Sequence, residues 1–460
     1  MAMSPDPIDR RRVHELTERE KKRLADRTRE SDAMYRRARS ALSGGVASSY
    51  QVREPWPIYL ADGSGPRVRD VSGNEMWDFH NGFGSMIQGH AHPAIGRAIA
   101  ERYGLGTHFA APTEDAVVVA EELRRRWGLP QWRYTNSGSE ATMDAIRIAR
   151  AYTGRDTVLK IFGGYHGHHD TVMVSIAGEH DDIGAPDRLA SLPYGAGIPS
   201  ATVDLTVAVP YNDAEATERC IERLVDEGRT PACFILEPVV MNMRVIPPVD
   251  GYLEAVRALT RRHGIVLVFD EVKTGLCVAA GGATERFGVV PDLVTLAKAL
   301  GGGLPMGAIG GSEDVMSVVE NGAVYQVGTY NGNPLATAAA RASLQQVLTP
   351  DAYTRLERVN RRLTTACDEV IAKYALPAYT VGMGAKGCVT FSPRPITDFA
   401  SFHAHRDPEL SQLFWLYTFN RGVYTTPNRD QEWTLSVTHG EEAVDAYAAV
   451  FEEMAAALRG

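Results

Sequence analysis

Two charged side chains in this sequence stand where they could do chemistry. Asp270 follows the apolar run IVLVF, and Lys298 lies in LVTLAKALGGGLPMG, between two apolar runs. A carboxylate at the end of a buried strand needs a cationic partner. A partly desolvated lysine has a lowered pKa, so its neutral amine can attack a carbonyl group. An acidic residue entering a turn and a surface lysine on a short helix are the alternative interpretations.

Val272 adds a second feature to the environment of Asp270. Strand alternation places Asp270 and Val272 on one side of the chain and Glu271 on the other. An acid beside a small branched apolar side chain suits the edge and the face of a protonated heteroaromatic ring. The pair therefore points to a flat, nitrogen-containing ligand.

Two loops could bind a phosphate group. Ser137, Gly138 and Ser139 lie between WRYTN and a helical stretch. Small residues at a helix start leave backbone N–H groups free, and the helix dipole favours an anion there. Simple capping by a serine is the alternative. The segment GTYNGNP, residues 328–334, carries a hydroxyl group on Thr329 that could also meet a phosphate.

The segment GGYHGHHD, residues 163–170, raises the question of a metal. His166, His168, His169 and Asp170 could be ligands, but no second cluster of matching spacing exists, so we expect no metal. We expect instead that Tyr165 contacts a flat ligand. The chain has no GKS or GKT sequence and no G-x-G-x-x-G that opens a helix, which argues against a P-loop or a dinucleotide site.

The pattern of elements indicates how these residues are positioned. From about residue 130, short β-rich runs alternate with amphipathic helices, which is typical of a mainly parallel sheet covered by helices. Ligands bind beyond the carboxyl ends of such strands. After about residue 335, longer helices and isolated strands predict a second, smaller α+β unit.

The N-terminal part of the chain has a different character. Residues 9–42 are dense in charges of both signs. Such a stretch could bind an acidic partner, but we interpret it as a solvated helix that ends at Ser43-Gly44-Gly45. The following segment IYLADGSGPRVRDVSGNEMWDFHNG predicts antiparallel strands joined by tight turns.

Composition excludes several classes of protein. The 460 residues are 44% hydrophobic and 23% charged, so the chain is not mainly disordered. A net charge of −9 argues against a nucleic-acid partner. The five cysteines form no CxxC pair, and no long apolar stretch is free of charges, so we expect neither a disulfide framework nor a membrane segment. A cytoplasmic location is the resulting expectation.

The separate signals agree on one cofactor. A lysine for a Schiff base, an aspartate for a pyridinium nitrogen and a helix N-terminus for a phosphate are what pyridoxal phosphate (PLP) requires. The chain also resembles the class III PLP-dependent aminotransferases, and within them the glutamate-1-semialdehyde aminomutase branch. The resemblance runs from about Ser43 to the C-terminus and is carried, in order, by NSGSEATMDAIRIARAYTGRD, GGYHGHHD, EPVVMNM, VFDEVKTG, LAKALGGGLPMGAIGG and GTYNGNP.

The resemblance implies a fold and an assembly. The fold is the α/β fold-type I of PLP-dependent transferases, in which residues 85–335 form a large PLP-binding domain with a mainly parallel, seven-stranded type of sheet. Residues 336–460 form a small α+β domain, to which residues 1–84 add a helix and strands. The family's Gly328–Thr329 loop reaches the phosphate of the neighbouring subunit, so a homodimer with sites at the interface is expected.

The resemblance also implies roles for single residues. Lys298 matches the lysine that forms the internal aldimine and then moves protons, and Asp270 matches the acid that keeps the ring nitrogen protonated. Val272 is expected under the ring and Tyr165 over it. The remaining implied cofactor-binding residues are Ser137, Gly138, Ser139, Glu237, Gly328 and Thr329.

The sequence departs from the aminomutase branch on the substrate side. That branch carries an arginine after a GGV-type segment, where SGGVASSYQVR has Gln51, and Arg53 follows two residues later as a candidate replacement. A glutamate of the branch meets Gln431, with Glu432 beside it. Lys273 stands at a position that is often Gln or Met in the family, and Cys277 stands at a position that is commonly Arg. Strand alternation predicts that Lys273 points away from Val272.

These features predict an aminotransferase. It would move an amino group from an amine or amino acid donor to a keto or aldehyde acceptor, through pyridoxamine phosphate. Loss of the arginine favours amine or β-amino-acid substrates. The alternative is a glutamate-1-semialdehyde 2,1-aminomutase, which moves the amino group within one molecule. A non-catalytic PLP-binding protein is a remote alternative, because the Lys298–Asp270 pair is intact.

Overall fold

A seven-stranded sheet forms the centre of the computed structural model, which describes residues 8–178, 182–427 and 431–460. Residues 1–7 of the predicted N-terminal unit lie outside the described residues. The strands are β1 (Leu60–Ser64), β2 (Arg67–Asp70), β3 (Glu75–Asp78), β4 (Gln131–Thr135), β5 (Val158–Ile161), β6 (Gly184–Ala185), β7 (Arg188–Leu189), β8 (Thr206–Val209), β9 (Cys233–Leu236), β10 (Val266–Asp270), β11 (Leu293–Leu296), β12 (Gly307–Gly311), β13 (Ala378–Met383), β14 (Lys386–Phe391), β15 (Val423–Tyr424) and β16 (Glu432–Thr434).

Helices cover this sheet and also precede and follow it in the sequence. They are α1 (Arg10–Arg27), α2 (Arg29–Ala38), α3 (Asn81–Gly84), α4 (Pro93–Tyr103), α5 (Glu114–Trp127), α6 (Gly138–Thr153), α7 (Ser200–Val203), α8 (Ala214–Asp226), α9 (Tyr252–His263), α10 (Gly282–Phe287), α11 (Glu313–Glu320), α12 (Pro334–Ala342), α13 (Pro350–Lys373), α14 (Phe399–His405), α15 (Pro408–Phe419) and α16 (Glu441–Arg459).

The central sheet has the strand order β4-β12-β11-β10-β9-β5-β8. The pairs β11–β10, β10–β9, β9–β5 and β5–β8 are parallel, and β12 runs antiparallel to both of its neighbours. Every residue of β5, β8, β9, β10 and β11 is buried, because helices cover both faces of the sheet. The predicted mainly parallel α/β sheet is confirmed.

Two further sheets lie outside the central one. The predicted antiparallel strands after residue 58 are β1, β2 and β3, and β15 joins them from the far end of the chain. Strands β13, β14 and β16 form an antiparallel sheet near the long helices α13 and α16. The proposed domain boundaries at residues 84/85 and 335/336 stay a prediction.

The N-terminal helix differs from its prediction. It consists of two helices that break at Thr28, whose Oγ1 donates to the Leu24 carbonyl (2.7 Å) and accepts from Trp56 Nε1 (2.9 Å). The description of α1 as a solvated helix is wrong for one of its faces. Val13, Leu16 and Leu24 recur at helical spacing and are buried, because this stripe packs against α15.

The length and composition of the described helices show whether one of them could span a membrane. None of them combines the length and the apolar content needed to cross a bilayer.

Candidate active site

The sequence-predicted residues converge at the carboxyl edge of the central sheet. Asp270 is the last residue of β10, and Lys298 begins a short 3₁₀ turn after β11. Parallel strands place their carboxyl ends at one edge, which explains why these distant residues meet. They line a cavity of about 400 Å³. Its lining also includes Ser85, Asn136, Ser137, Gly138, Ser139, Tyr165, His166, Gly167, Glu237, Asn242, Val272, Lys273, Ala297 and the loop Gly303 to Met306.

Asp270 is held in one orientation by neighbouring donors. Its Oδ2 lies 2.8 Å from Nδ1 of His166, and its Oδ1 accepts from the Val272 N–H (3.0 Å). Both Asp270 and His166 are buried, and Nε2 of His166 has no hydrogen-bond partner among the described residues. A buried carboxylate fixed in this way can hold a proton on a ring nitrogen that enters the cavity.

Lys298 follows β11, the parallel neighbour of β10, and has an unusual backbone conformation. Its φ of 46° is in the left-handed region, which non-glycine residues rarely adopt and which is common at functional sites. Burial, and after it the neighbouring ammonium group of Lys273, lowers the pKa of Lys298 to about 8. A larger share of its amine is therefore neutral near pH 7 than for an ordinary lysine.

The N-terminus of α6 supplies an anion site. Ser137 caps the helix by accepting from the Glu140 N–H (3.2 Å). Gly138 follows, and a Cβ at this position would lie 2.9 Å from Val272 Cγ2. Only a glycine therefore lets the helix start approach the floor of the cavity. The next residue, Ser139, bonds His168 through its hydroxyl group (2.9 Å).

Tyr165 and Glu237 are joined at one wall of the cavity. The Glu237 carboxylate accepts from the Tyr165 N–H (3.0 Å), the Met241 N–H (3.1 Å) and Nδ2 of Asn242 (2.8 Å). Glu237 is buried, and burial raises its pKa. Its contacts position the loop that carries Tyr165.

Gly328 and Thr329 are the two predicted residues that this cavity does not include. Thr329 is exposed, and the loop meets the site at Asn331, whose Oδ1 accepts from Asn136 Nδ2 (3.1 Å). Within the described part of the chain, no group of three or more His, Cys, Asp and Glu side chains could hold a metal ion. Of the three histidines of the GGYHGHHD segment, His166 faces Asp270, His168 faces Ser139 and His169 faces Thr142.

The predicted orientation of Lys273 is wrong. Strand β10 ends at Asp270, so alternation does not extend to residue 273, and Lys273 lines the same cavity as Val272. Its Nζ donates to the Met241 carbonyl (2.7 Å) and lies 2.9 Å from Oε1 of Glu432.

Sequence reasoning missed Lys386, which lies close to the cavity. Lys386 is fully buried, and its Nζ lies 3.4 Å from Glu432 Oε1. Burial alone would raise the pKa of Glu432. The positive charges of Lys273 and then Lys386 outweigh this effect and hold the pKa of Glu432 below its usual value. The one available signal was a lysine at the start of the apolar strand KGCVTF, where a charge requires a partner.

The candidate carboxylate-binding residues lie elsewhere. Gln51 Oε1 accepts from the N–H groups of Ala47 and Ser48 (3.1 Å each), so its side chain caps a local turn. The Arg53 guanidinium lies over the Trp415 ring, 5.1 Å from its centroid, and lines a different cavity. The expectation that Arg53 replaces the arginine is not met in this structure. Cys277 is buried, with its Sγ 3.8 Å from the Gly84 carbonyl.

The residues around the cavity provide the chemical groups that PLP requires. A lysine with a lowered pKa, a fixed carboxylate and a helix N-terminus that admits no side chain surround a space bordered by Val272. On a mainly parallel sheet, these parts define a fold-type I PLP-dependent enzyme.

Comparison with known proteins gives the family. The chain belongs to the aminotransferase class-III family, which it matches over residues 49–409. It is 37% identical over 420 residues to glutamate-1-semialdehyde 2,1-aminomutase 2 of Brevibacillus brevis, covering 90% of this chain and 95% of that protein. The predicted family, fold class and cofactor are confirmed.

Solved structures agree with this assignment. An omega-transaminase from Sphaerobacter thermophilus superposes with a TM-score of 0.88 at 34% identity, covering 94% of this chain and 98% of the other. A variant of a glutamate-1-semialdehyde-aminomutase from Pseudomonas aeruginosa PAO1, in complex with PMP, also has a TM-score of 0.88, at 28% identity and with coverages of 98% and 99%. The chain thus resembles proteins of both predicted activities.

Proposed function

We propose that the protein is a PLP-dependent aminotransferase that moves an amino group from an amine or amino acid donor to a keto or aldehyde acceptor. The supporting observation is the cavity that joins Lys298, Asp270 and the N-terminus of α6, with no arginine among its described lining residues. When bound, PLP supplies a ring that accepts the electrons of the reacting carbon. The protein supplies orientation and proton transfer.

Lys298 and Asp270 divide the chemical work in this proposal. Lys298 Nζ would hold the cofactor in the resting enzyme, and the same amine would move a proton from and to the substrate carbon. Its pKa of about 8 suits a group that must act as both base and acid near neutral pH. Asp270 would hold a proton on the ring nitrogen of the cofactor, and His166 fixes the orientation of the Asp270 carboxylate.

The phosphate and the ring are held by the chain's own contacts. The free N–H groups at Gly138 and Ser139 would bind the phosphate at the start of α6. Val272 would pack against one face of the ring and Tyr165 against the other, with Glu237 positioning the Tyr165 loop.

The second candidate is the glutamate-1-semialdehyde 2,1-aminomutase. The name of the Brevibacillus relative, which aligns over 90% of this chain, favours it. The structure favours the transaminase through Gln51, which caps a local turn instead of presenting a charge to the cavity.

One panel of reactions separates the two candidates. The purified enzyme is incubated with glutamate-1-semialdehyde alone and, separately, with an amine donor plus pyruvate. We expect alanine in the second reaction and no isomerisation in the first. Conversion of glutamate-1-semialdehyde without an external acceptor, together with no alanine, would establish the aminomutase instead.

We also propose a homodimer with shared sites, in the cytoplasm. Gly328 and Thr329 lie on a loop outside their own cavity, and the adjacent Tyr325 and Val327 are 80% and 62% exposed. A second copy of the chain would cover these apolar side chains and bring the loop to its phosphate. The five buried, unpaired cysteines are compatible with a reducing compartment.

A further inference from the structure

A histidine outside the cavity contacts a serine that lines it. Nδ1 of His168 lies 2.9 Å from the hydroxyl oxygen of Ser139, and the backbone N–H of His168 donates to the same oxygen (3.2 Å). Ser139 borders the cavity, whereas His168 is exposed and is not among the described lining residues. His168 can therefore act on a ligand in the cavity through the hydroxyl group of Ser139.

The loop that carries His168 packs closely against the first turn of α6. Gly167 has a φ of 100°, and a Cβ at this position would lie 2.5 Å from Oγ and 2.7 Å from Cα of Ser139. A glycine is needed here, because a side chain would push the loop away from the helix. The hydroxyl group of Thr142 in α6 also donates to the His166 carbonyl of this loop. The backbone therefore holds His168 and Ser139 in contact.

The hydroxyl group of Ser139 has one hydrogen to donate and two lone pairs that accept. The backbone N–H of His168 occupies one of these lone pairs. If Nδ1 of His168 carries no proton, it accepts the hydroxyl hydrogen, and the Ser139 side chain has no donor left for a ligand. If Nδ1 carries a proton, it donates to the second lone pair, and the hydroxyl hydrogen is free to point into the cavity.

A phosphate group distinguishes between these two states of the hydroxyl group. Its anionic oxygens accept hydrogen bonds, and a hydrogen bond to an anion is stronger than one between neutral groups. The proposed phosphate position is the start of α6, in which Ser139 is the second residue. A bound phosphate therefore favours the state in which Nδ1 of His168 donates to Ser139 and the Ser139 hydroxyl group donates to the phosphate.

We propose that His168 is a positioning residue for the cofactor phosphate. Its Nδ1 donates to the Ser139 hydroxyl group and so turns the hydroxyl hydrogen toward the phosphate. The inference rests on the phosphate site of the proposed function and deepens it. It assigns a task to a histidine of the GGYHGHHD segment that the chemistry described above does not use.

The first test measures binding of a ligand that cannot attach to Lys298. Pyridoxamine phosphate (PMP) is titrated by calorimetry into the full-length chain freed of PLP, with pyridoxamine, which lacks the phosphate, as the control ligand. His168→Leu should weaken PMP binding roughly three- to tenfold, as loss of one hydrogen bond does, and should leave pyridoxamine binding unchanged. His168→Asn should keep PMP binding to within about twofold, because its amide N–H can replace the Nδ1–H group.

A second substitution shows whether His168 acts through Ser139. In a chain that already carries Ser139→Ala, His168→Leu should have no further effect on PMP binding, since no hydroxyl group remains to be turned. An equal loss of PMP affinity with and without the Ser139 hydroxyl group, or no loss in His168→Leu alone, would overturn the proposal. Because His168 is exposed, we expect each of these variants to fold.

The position of the proton can also be observed directly. In the PMP complex of the chain labelled with 15N-histidine, NMR distinguishes a protonated from an unprotonated Nδ1, and the signal of His168 is the one that His168→Asn removes. We expect a proton on Nδ1 of His168. A merely structural contact would not require it, and an unprotonated Nδ1 in the complex would contradict the proposal.

Failure of this inference is distinguishable from failure of the proposed function. PMP binding and the NMR signal require no turnover, so both can support the role of His168 even if no amino donor is transaminated. Conversely, transamination together with PMP binding that does not depend on His168 would overturn this inference and leave the aminotransferase standing. Unchanged PMP binding in Ser139→Ala would overturn it as well and place the error at the Ser139 contact with the phosphate.

Discussion

The contacts of Asp270 fix the orientation of its carboxylate group. His166, the Val272 N–H and Thr295 Oγ1 surround it at 2.8, 3.0 and 3.4 Å, so its two oxygens have little freedom to turn. The carboxylate is placed at the strand end where the ring nitrogen of the cofactor would lie. Its charge, and not only its shape, is what the proposed function requires.

Replacement of Asp270 by Asn therefore separates charge from shape. The amide keeps the volume of the side chain but cannot hold a proton on the ring nitrogen. We expect kcat/KM for an amine and pyruvate to fall by at least about two orders of magnitude, comparable to the loss of one preorganised polar group in an active site. PLP content is measured by absorbance, and Asp144→Asn, a buried aspartate outside the cavity, is the control. Near-native turnover of Asp270→Asn would refute the role.

Lys298 makes a prediction about pH. Its pKa lies near 8 instead of 10.5, first through burial and then through the charge of Lys273. Only the neutral amine attacks PLP, so uptake of the cofactor by the apoenzyme should accelerate up to about pH 8 and then level off. Reaction of PLP with a free alkylamine is the reference and should keep rising toward its own, higher pKa.

The variant Lys273→Met tests the direction in which the charge of Lys273 shifts the pKa of Lys298. Removal of a like charge raises the pKa of Lys298, so the plateau in uptake should shift to higher pH. An uptake rate that rises continuously through pH 10 in the native chain would contradict the lowered pKa of Lys298.

The two central residues could be predicted from the sequence because each follows a strand of the sheet. Asp270 and Lys298 end apolar runs, and strand ends of a parallel sheet meet at one edge. Lys386 could not be found in this way. It meets Glu432 across the antiparallel pair of strands β14 and β16, and pairing between strands that are distant in the chain leaves no local pattern in the sequence.

At the scale of elements, the start of α6 has no space for a side chain at Gly138. Gly138 packs against Val272, and an added Cβ would lie 2.9 and 3.0 Å from its two γ carbons. Both atoms belong to a short, stiff side chain, so the helix start must move away. The phosphate site at the helix N-terminus would move with it.

Gly138→Ala should therefore weaken binding of PLP while the fold persists. We expect the dissociation constant for PLP to rise roughly tenfold, because a small displacement lengthens several phosphate contacts at once. Gly96→Ala is the matched control, since Gly96 also lies in a helix but its added Cβ would meet nothing within 4 Å. That variant should bind PLP normally and be no less stable. Unchanged PLP binding in Gly138→Ala would contradict the proposed phosphate site.

Periodicity predicted elements better than it predicted orientations. The amphipathic helices predicted after residue 130 include the helix Tyr252–His263. The orientation of Lys273 was wrong because the strand stops three residues before it. The apolar stripe of α1 was overlooked because charges dominate the composition of that segment, although Val13, Leu16 and Leu24 have helical spacing.

At the scale of the whole molecule, the role of the loop of Gly328 and Thr329 is not explained by a single chain. It lies outside the cavity of its own chain, among apolar side chains such as Tyr325 and Tyr330 that are 80% and 59% exposed. In the proposed dimer, each site takes Lys298 from one subunit and Thr329 from the other. Every site would then depend on both chains.

Mixing two inactive variants tests this arrangement directly. Lys298→Ala removes the lysine, and Thr329→Asp places a negative charge against the phosphate, so each variant alone should be inactive. In a hybrid dimer, one of the two sites would combine an intact Lys298 with an intact Thr329. After random exchange of subunits, about a quarter of all sites should be native, and transaminase activity should return to that level. If the loop served its own chain, no mixture could regain activity, because every site would carry one of the two defects.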